Sequence, residues 1–224
     1  MTSLEALREE VWRCNLELPK NDLVKMTSGN VSGRDPESGL VVIKPSGIPY
    51  EQLSPDNMVM VSPEGEVIGS DLIPSIDTAT HLYIYRERAD VFGVVHTHSP
   101  YATSFAVAGK PIPACLTTCG MVGSEVPVGG YVPPVGGDGI GREMLRVIGD
   151  SLAVIMLNHG VFTIGRSASH ATRVAVEVED IARITHLAML RGDLIRLTPE
   201  QVAEVSDIYN NVYGQKRRDP IVSQ

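Results

Sequence analysis

The sequence is short of several things that would have simplified its reading. Three cysteines in 224 residues, Cys14, Cys115 and Cys119, are an odd number without zinc-ribbon spacing, which predicts a reducing compartment and a cytoplasmic protein. No uncharged apolar run approaches the roughly 18 residues of a membrane helix. The first 14 residues interleave Glu5, Arg8, Glu9, Glu10 and Arg13 with apolar side chains, unlike a signal peptide. Basic residues are in deficit, 19 against 27 acidic for a net charge of -8, which excludes a general attraction to nucleic acid or anionic membrane. Any phosphate must therefore be held locally. There is no Walker sequence, no Gly-x-Gly-x-x-Gly, no His-Glu-x-x-His and no Gly-x-Ser-x-Gly, so the usual signals of nucleotide binding, zincin proteolysis and α/β-hydrolase chemistry are missing. Repeats and an internal linker are missing too. The reading is one domain over residues 1–215, with a flexible C-terminal tail at 216–224.

What is present is an ordinary core-forming composition, 43% hydrophobic, in alternating helix and strand patterns. Leu4, Leu7, Val11, Leu16 and Leu18 predict a first helix from Thr2 to Leu18, capped by Ser3 and stopped by Pro19. Gly29–Gly33 and Leu40–Ile43 read as strands, and Met58–Val61 and Val67–Ile68 as a hairpin around Pro63-Glu64-Gly65. A helix is expected from Ser75 to about Ala89, then a buried strand Val91–Val95 delivering His96. Ser99 and Pro100 open a helix to Ala108. Residues 120–141 hold 8 Gly and 3 Pro, which predicts loop and short strand. Leu152–Leu157 and Val161–Ile164 read as paired strands around Asn158-His159-Gly160. A long helix ends near Arg191-Gly192, and Pro199 starts the last one. The sum is a mostly antiparallel sheet from several hairpins with helices on its faces, either α+β or an α/β fold built as a three-layer α/β/α sandwich.

His96 and His98 stand two apart on a strand, so both point to one face about 7 Å apart, a spacing that suits two ligands of one metal. His159, beside a second strand end, is a candidate third. Three histidines with an open position is the pattern of a catalytic rather than a structural zinc; polar residues satisfied at strand ends are the plainer alternative. His81, His170 and His186 fall on predicted helices and read as surface or capping residues, and Asp77 doubles as a carboxylate at a helix N-terminus. Gly29-Asn30, Lys44-Pro45-Ser46-Gly47 and Ser75 lie at turns whose amides, hydroxyls and single ammonium could hold a phosphate. Cys115 and Cys119 have no partner base and read as small buried side chains.

Taken in order, Leu18-Pro19-Lys20, Thr27-Ser28-Gly29-Asn30-Val31-Ser32, Ile43-Lys44-Pro45-Ser46-Gly47, Pro74-Ser75-Ile76-Asp77-Thr78, Val94-Val95-His96-Thr97-His98-Ser99, Asn158-His159-Gly160 and Tyr213-Gly214-Gln215 resemble the class II aldolase and adducin family from about residue 5 to 215. Within it the L-ribulose-5-phosphate 4-epimerases resemble the chain most and the L-fuculose-1-phosphate aldolases next. The resemblance implies that His96, His98 and His159 bind zinc, or another divalent ion such as manganese or cobalt, with Asp77 as the metal-associated acid. It implies a sugar-phosphate substrate, with Asn30, Lys44, Ser46, Gly47 and Ser75 at the phosphate and Gly29 and Thr117 in the pocket. Tyr213 matches an acid/base that reaches a neighbouring subunit's active site, which implies a homotetramer with sites between subunits.

Two positions depart from the family pattern. The epimerases carry a second acid/base, an Asp shortly after the pair kept here as Thr117-Thr118. This chain continues Cys119-Gly120-Met121-Val122, with no carboxylate before Glu125. Ile76 replaces the second Ser of the phosphate motif. An aldolase needs one acid/base at the aldehyde oxygen, whereas a 4-epimerase must protonate the rotated aldehyde from the opposite face as well. The expectation is a metal-dependent lyase that cleaves a ketose phosphate through a metal-stabilised enediolate. A 4-epimerase in which Glu125 replaces the Asp is the alternative, and a non-catalytic adducin-like binding module is a third.

Overall fold

In the computed structural model, which describes residues 3–134 and 136–214, one eight-stranded sheet forms the middle layer. The strands are β1 (Asn30–Arg34), β2 (Val41–Ile43), β3 (Val59–Val61), β4 (Val67–Ile68), β5 (Gly93–Thr97), β6 (Val128–Gly129), β7 (Ala153–Met156) and β8 (Gly160–Gly165). Their order across the sheet is β4-β3-β2-β1-β5-β8-β7-β6, every pair antiparallel except β6 with β7. The helices are α1 (Ser3–Lys20), α2 (Thr78–Glu87), α3 (Pro100–Ala108), α4 (Gly139–Val147), α5 (Ala168–Met189) and α6 (Pro199–Asp207). Helices α2 and α4 pack together on one face, whereas α1, α3 and α5 cover the other. This is the expected three-layer α/β/α sandwich.

Strand alternation decides which layer each side chain enters. On β5, Val94 joins the cluster under α2 and α4 while Val95 joins the one under α1 and α5. His96 thereby shares the α2 face with Val94. On β1, Val31 turns toward α1, leaving Asn30 and Ser32 for α2.

Three expectations need correction. Pro19 does not end α1, which continues to Lys20; proline lacks only its own N–H there, and the chain closes with Leu23 N donating to Leu18 O at 3.0 Å. Residues 120–141 do not stay irregular to the end, because α4 begins at Gly139. Gly141 is a packing residue, since a Cβ there would lie 2.8 Å from Tyr83 Cδ1 and 3.2 Å from Thr80 O, so its absence lets α4 approach α2 closely. Ser99 occupies the N-cap position of α3 but does not cap it through its side chain, whereas Asp77 does stand at the N-terminus of α2. The expected tail at 216–224 and Gln215 lie outside the described residues, as does Thr2.

Candidate metal centre

The register β5 to β8 places His96 opposite Phe162 and Thr97 opposite Val161. This brings the turn before β8, which carries His159, alongside the end of β5. Asn158 takes a left-handed conformation there (φ 55°), one that asparagine adopts more readily than most residues. Gly160 makes room: an added Cβ would collide with Thr97 O and lie 2.7 Å from His98 Cδ2 and 3.2 Å from His96 Cε1. Gly29 does the same on the other side, at φ 76°, where a Cβ would meet Val24 and sit 3.0 Å from His96 O.

Nitrogens of His96, His98 and His159 lie within 4.8 Å of one another. His96 Nδ1 is 2.9 Å from Val161 O and, facing a carbonyl, must be the donor, which leaves the Nε2 lone pair pointing inward. His98 Nε2 is 3.0 Å from it. The His96 ring is held flat against Phe162, centroids 4.2 Å apart at 13°. Burial lowers the proton affinity of all three: His96 to about 3, His98 and His159 in the same direction, with the charge of His98 adding to the effect at His159. His159 Nδ1 is buried without a hydrogen-bond partner. Neutral, converging imidazoles with an oriented lone pair and an orphaned buried nitrogen fit a divalent cation, which accepts lone pairs that a proton can only link two at a time.

Asp77 stands beside this cluster. Its Oδ2 accepts from Asn30 Nδ2 at 2.7 Å, and Asn30 also donates to Ser75 Oγ at 2.9 Å. Turning the Asn30 amide over would set its oxygen against the carboxylate, so this orientation is the favourable one. Burial works to raise the Asp77 carboxyl, but the imidazoles of His96 and His81 and the Asn30 amide outweigh it and hold the group below the ordinary carboxylate value.

The other expected residues divide into two groups. Lys44 is 2% exposed; its Nζ donates to Thr27 O at 3.0 Å and lies 5.0 Å from the centre of the Tyr50 ring, and burial lowers its pKa. The backbone pairs its segment with that of Ser75: Ser75 N donates to Lys44 O and Ser46 N to Ile73 O. Those two amides are thus already used, and the Ser46 and Ser75 hydroxyls and exposed Gly47, at φ 68° with open space beside it, are what remain for an anion. Asn30, Lys44, Ser46, Gly47, Ser75 and Asp77 therefore form one neighbourhood. By contrast Thr117, Glu125 and Tyr213 share no hydrogen bond or ring contact with the triad among the described residues. Thr117 is exposed at the start of a short 3-10 turn (Thr117–Met121) packed on α6. Glu125 pairs with Arg196 at 3.6 Å, and Tyr213 is 65% exposed with its ring 5.3 Å from that of Tyr209.

The family description that matches residues 9–186 is "Class II Aldolase and Adducin N-terminal domain". The chain belongs to the class II aldolase and adducin family. Among its relatives, the L-ribulose-5-phosphate 4-epimerase UlaF of Salmonella paratyphi B is 36% identical over 232 aligned positions, 97% of each chain, and that of Salmonella typhi 38% with the same coverage. A solved L-fuculose 1-phosphate aldolase superposes with a TM-score of 0.85 at 27% identity, covering 92% of this chain and 96% of the other. Members of this family generally depend on a divalent metal, and the triad supplies a set of ligands for one. No helix among the described residues is long and apolar enough to cross a membrane.

Three features escaped the sequence reading. Phe162 and Val161 orient His96, but their part depends on the β5–β8 register, which no local pattern reveals. His81 is fully buried, not a surface or capping residue. Its spacing of four from Asp77 was the available signal, since that places both on one helix face. Cys115, read as buried, is partly exposed, whereas Cys14 and Cys119 are buried. His170 and His186 meet the expectation: the former accepts from Arg166 N at 3.3 Å near the start of α5, and the latter is exposed beside Tyr101.

Proposed function

We propose that this protein is a zinc-dependent lyase that cleaves a ketose phosphate into a small ketone or aldehyde phosphate, such as dihydroxyacetone phosphate or glycolaldehyde phosphate, and an aldehyde. The observation that carries the reading is an intact His triad beside one acidic residue, Asp77, combined with a Thr117–Met121 turn that offers no carboxylate. A divalent ion held by His96, His98 and His159, with zinc the first choice and manganese or cobalt as substitutes, would supply Lewis-acid stabilisation of the oxygen charge that develops as the carbon–carbon bond breaks.

The chain's own residues do the rest. The phosphate lies against the Ser46 and Ser75 hydroxyls, Gly47 and Asn30, with Lys44 as the positive charge of an otherwise acidic protein, and Gly29 and Thr117 border the pocket. Asp77, kept ionised and oriented by Asn30, takes up the proton released by the substrate hydroxyl and delivers it to the carbon left when the carbon–carbon bond breaks. Tyr213 of the partner subunit exchanges a proton at the aldehyde oxygen, which requires a homotetramer with its sites between subunits. In one chain Tyr213 is exposed and free of the triad, as that arrangement needs. The enzyme works in the cytoplasm.

The second reading is 4-epimerisation of L-ribulose 5-phosphate. It is favoured by 36–38% identity to the UlaF epimerases over nearly the whole chain. It needs an acid/base on the opposite face, and Glu125 is the candidate. One assay separates the two: metal-loaded enzyme given L-fuculose 1-phosphate and L-ribulose 5-phosphate, with aldehyde release and epimer formation scored together. Aldehyde release without epimer supports the lyase. Epimer without aldehyde, lost in Glu125→Gln, replaces it with the epimerase.

A further inference from the structure

Helix α2 and the residue before it lay three polar side chains toward the sheet at four-residue intervals: Asp77, His81 and Tyr85. Residues so spaced share a helix face. His81 is 0% and Tyr85 3% exposed. Strand β1 meets them with Asn30 and Ser32, two residues apart and on one side of the sheet. Asn30 binds Asp77, while Ser32 Oγ lies 2.7 Å from His81 Nδ1 and 2.8 Å from Tyr85 Oη. The surrounding layer is aliphatic, including Val41, Ile43, Leu82, Ile84 and Val94. A polar seam in such a layer costs free energy unless its groups are paired, so its protons must be accounted for individually.

Two directions are open to the chain Tyr85–Ser32–His81. If His81 donates from Nδ1, Ser32 must donate to Tyr85, and the phenol proton has no acceptor among the described hydrogen bonds; Nε2 is then an unused lone pair, and two ends are loose. If Tyr85 donates to Ser32, Ser32 donates to His81 Nδ1 and every hydroxyl proton is used. The one loose end is then a proton on His81 Nε2. Burial keeps the phenol protonated and the imidazole neutral, its pKa pulled down to about 4, as this second direction requires. His81 Nε2 is buried and lacks a partner. The charge that acts on His81 is that of Asp77, one turn earlier on the helix.

We infer that His81 is a positioning residue: held as its Nε2–H tautomer by the Tyr85–Ser32 relay, it directs that proton toward the Asp77 carboxylate through one buried water. Asp77 is thereby fixed from two sides, by Asn30 from the strand and by His81 from its own helix. An unsatisfied buried donor is costly, and an ionised carboxylate is the acceptor that recovers most of that cost. The catalytic consequence rests on the reading of Asp77 as an acid/base; the tautomer and its acceptor do not.

Histidine-labelled protein, carrying 15N in both ring nitrogens, tests the inference by two-dimensional NMR. The His81 signals are assigned by their loss in His81→Gln or, if that variant does not fold, by their displacement in Tyr85→Phe. The expected result is a proton on Nε2 in the wild type, a displaced Nε2 resonance in Asp77→Asn and a mixed tautomer in Ser32→Ala. Ser32→Ala should also lower kcat about 10-fold with KM and bound metal unchanged, the scale for a hydrogen-bond partner one step behind a site. A proton on Nδ1 in the wild type, or His81 signals indifferent to Asp77→Asn, overturns the inference. A wild-type kcat in Ser32→Ala overturns its link to turnover. If the wild type turns over no sugar phosphate, the proposed reaction fails while the tautomer measurement still decides the role of His81.

Discussion

The metal corner and the C-terminal end of the chain are built on opposite principles. At the corner, three imidazoles, Asp77 and Asn30 are assembled within one chain from β1, the end of β5, the turn before β8 and the start of α2, and the key ring, His96, is 2% exposed. At the other end, Tyr213 follows α6 and the π-helical turn Ile208–Val212 and lies open to solvent, its ring 5.3 Å from that of its neighbour Tyr209. The ligand side chains of the first region all come from one chain. The second leaves a phenol open to solvent, without a hydrogen bond or ring contact to the triad among the described residues. Under the proposed mechanism such a division would keep ligand binding in the core and leave proton transfer to an element that a second copy completes.

Breaking the corner should have the largest effect. His96→Ala removes the oriented lone pair, and metal analysis together with turnover should show both lost to background; retained stoichiometric metal with full activity would remove the triad from the mechanism. Gly160→Ala should come next, because its methyl group has no space between Thr97 O, His98 and His96. Overpacking of this kind costs about 1–3 kcal/mol, and the expected result is a lower Tm and metal affinity weakened at least 10-fold by competition with a chelator. An unaltered affinity would mean that the turn can shift without moving the ligands.

Tyr213→Phe tests the other region alone. It should leave metal content and Tm at wild-type values and lower kcat about 100-fold, the scale for a general acid; an unchanged rate would end its assignment. Acid titration gives the smallest and most selective contrast. His81 and His96 have folded-state pKa values of about 4 and about 3, below the roughly 6.5 of an unfolded histidine. The unfolded chain therefore binds more protons below pH 6.5, and stability falls as pH drops from there toward 4. Their contribution is fully present above pH 6.5. Denaturant melts of metal-free protein at pH 7 and pH 5 should differ in the direction of lower stability at pH 5. His81→Gln should flatten that slope, while Tyr213→Phe should leave it unchanged.

Much of the corner was legible because its signals are local. His-x-His on a strand is a short pattern whose spacing dictates a common face, whereas His159 and the Asn30, Lys44 and Ser75 turns were joined to it only by the family resemblance. The hairpins were readable for the same reason, as Pro63-Glu64-Gly65 joins two alternating strands. What stayed hidden depended on partners far away in the chain. Helix α4 was masked by glycines whose purpose, as at Gly141 against Tyr83, is close packing on α2. Phe162 gained its role only from the β5–β8 register. His81 passed for a helix-surface residue because Ser32, its partner, lies 49 positions earlier.

The sequence by itself determined the chemistry available to this protein: histidines in a His-x-His pair and an Asn-His-Gly turn, Asp77, Lys44, and no carboxylate between Thr118 and Glu125. Each of these follows from residue type and short spacing, which folding cannot alter. Only the tertiary structure decided how that chemistry is held, since tautomers, ring stacking and burial are properties of contacts between distant segments. The donation from His96 to Val161 O, the room left by Gly160 and the polar seam from Tyr85 to Asp77 exist because β1, β5, β8 and α2 come together.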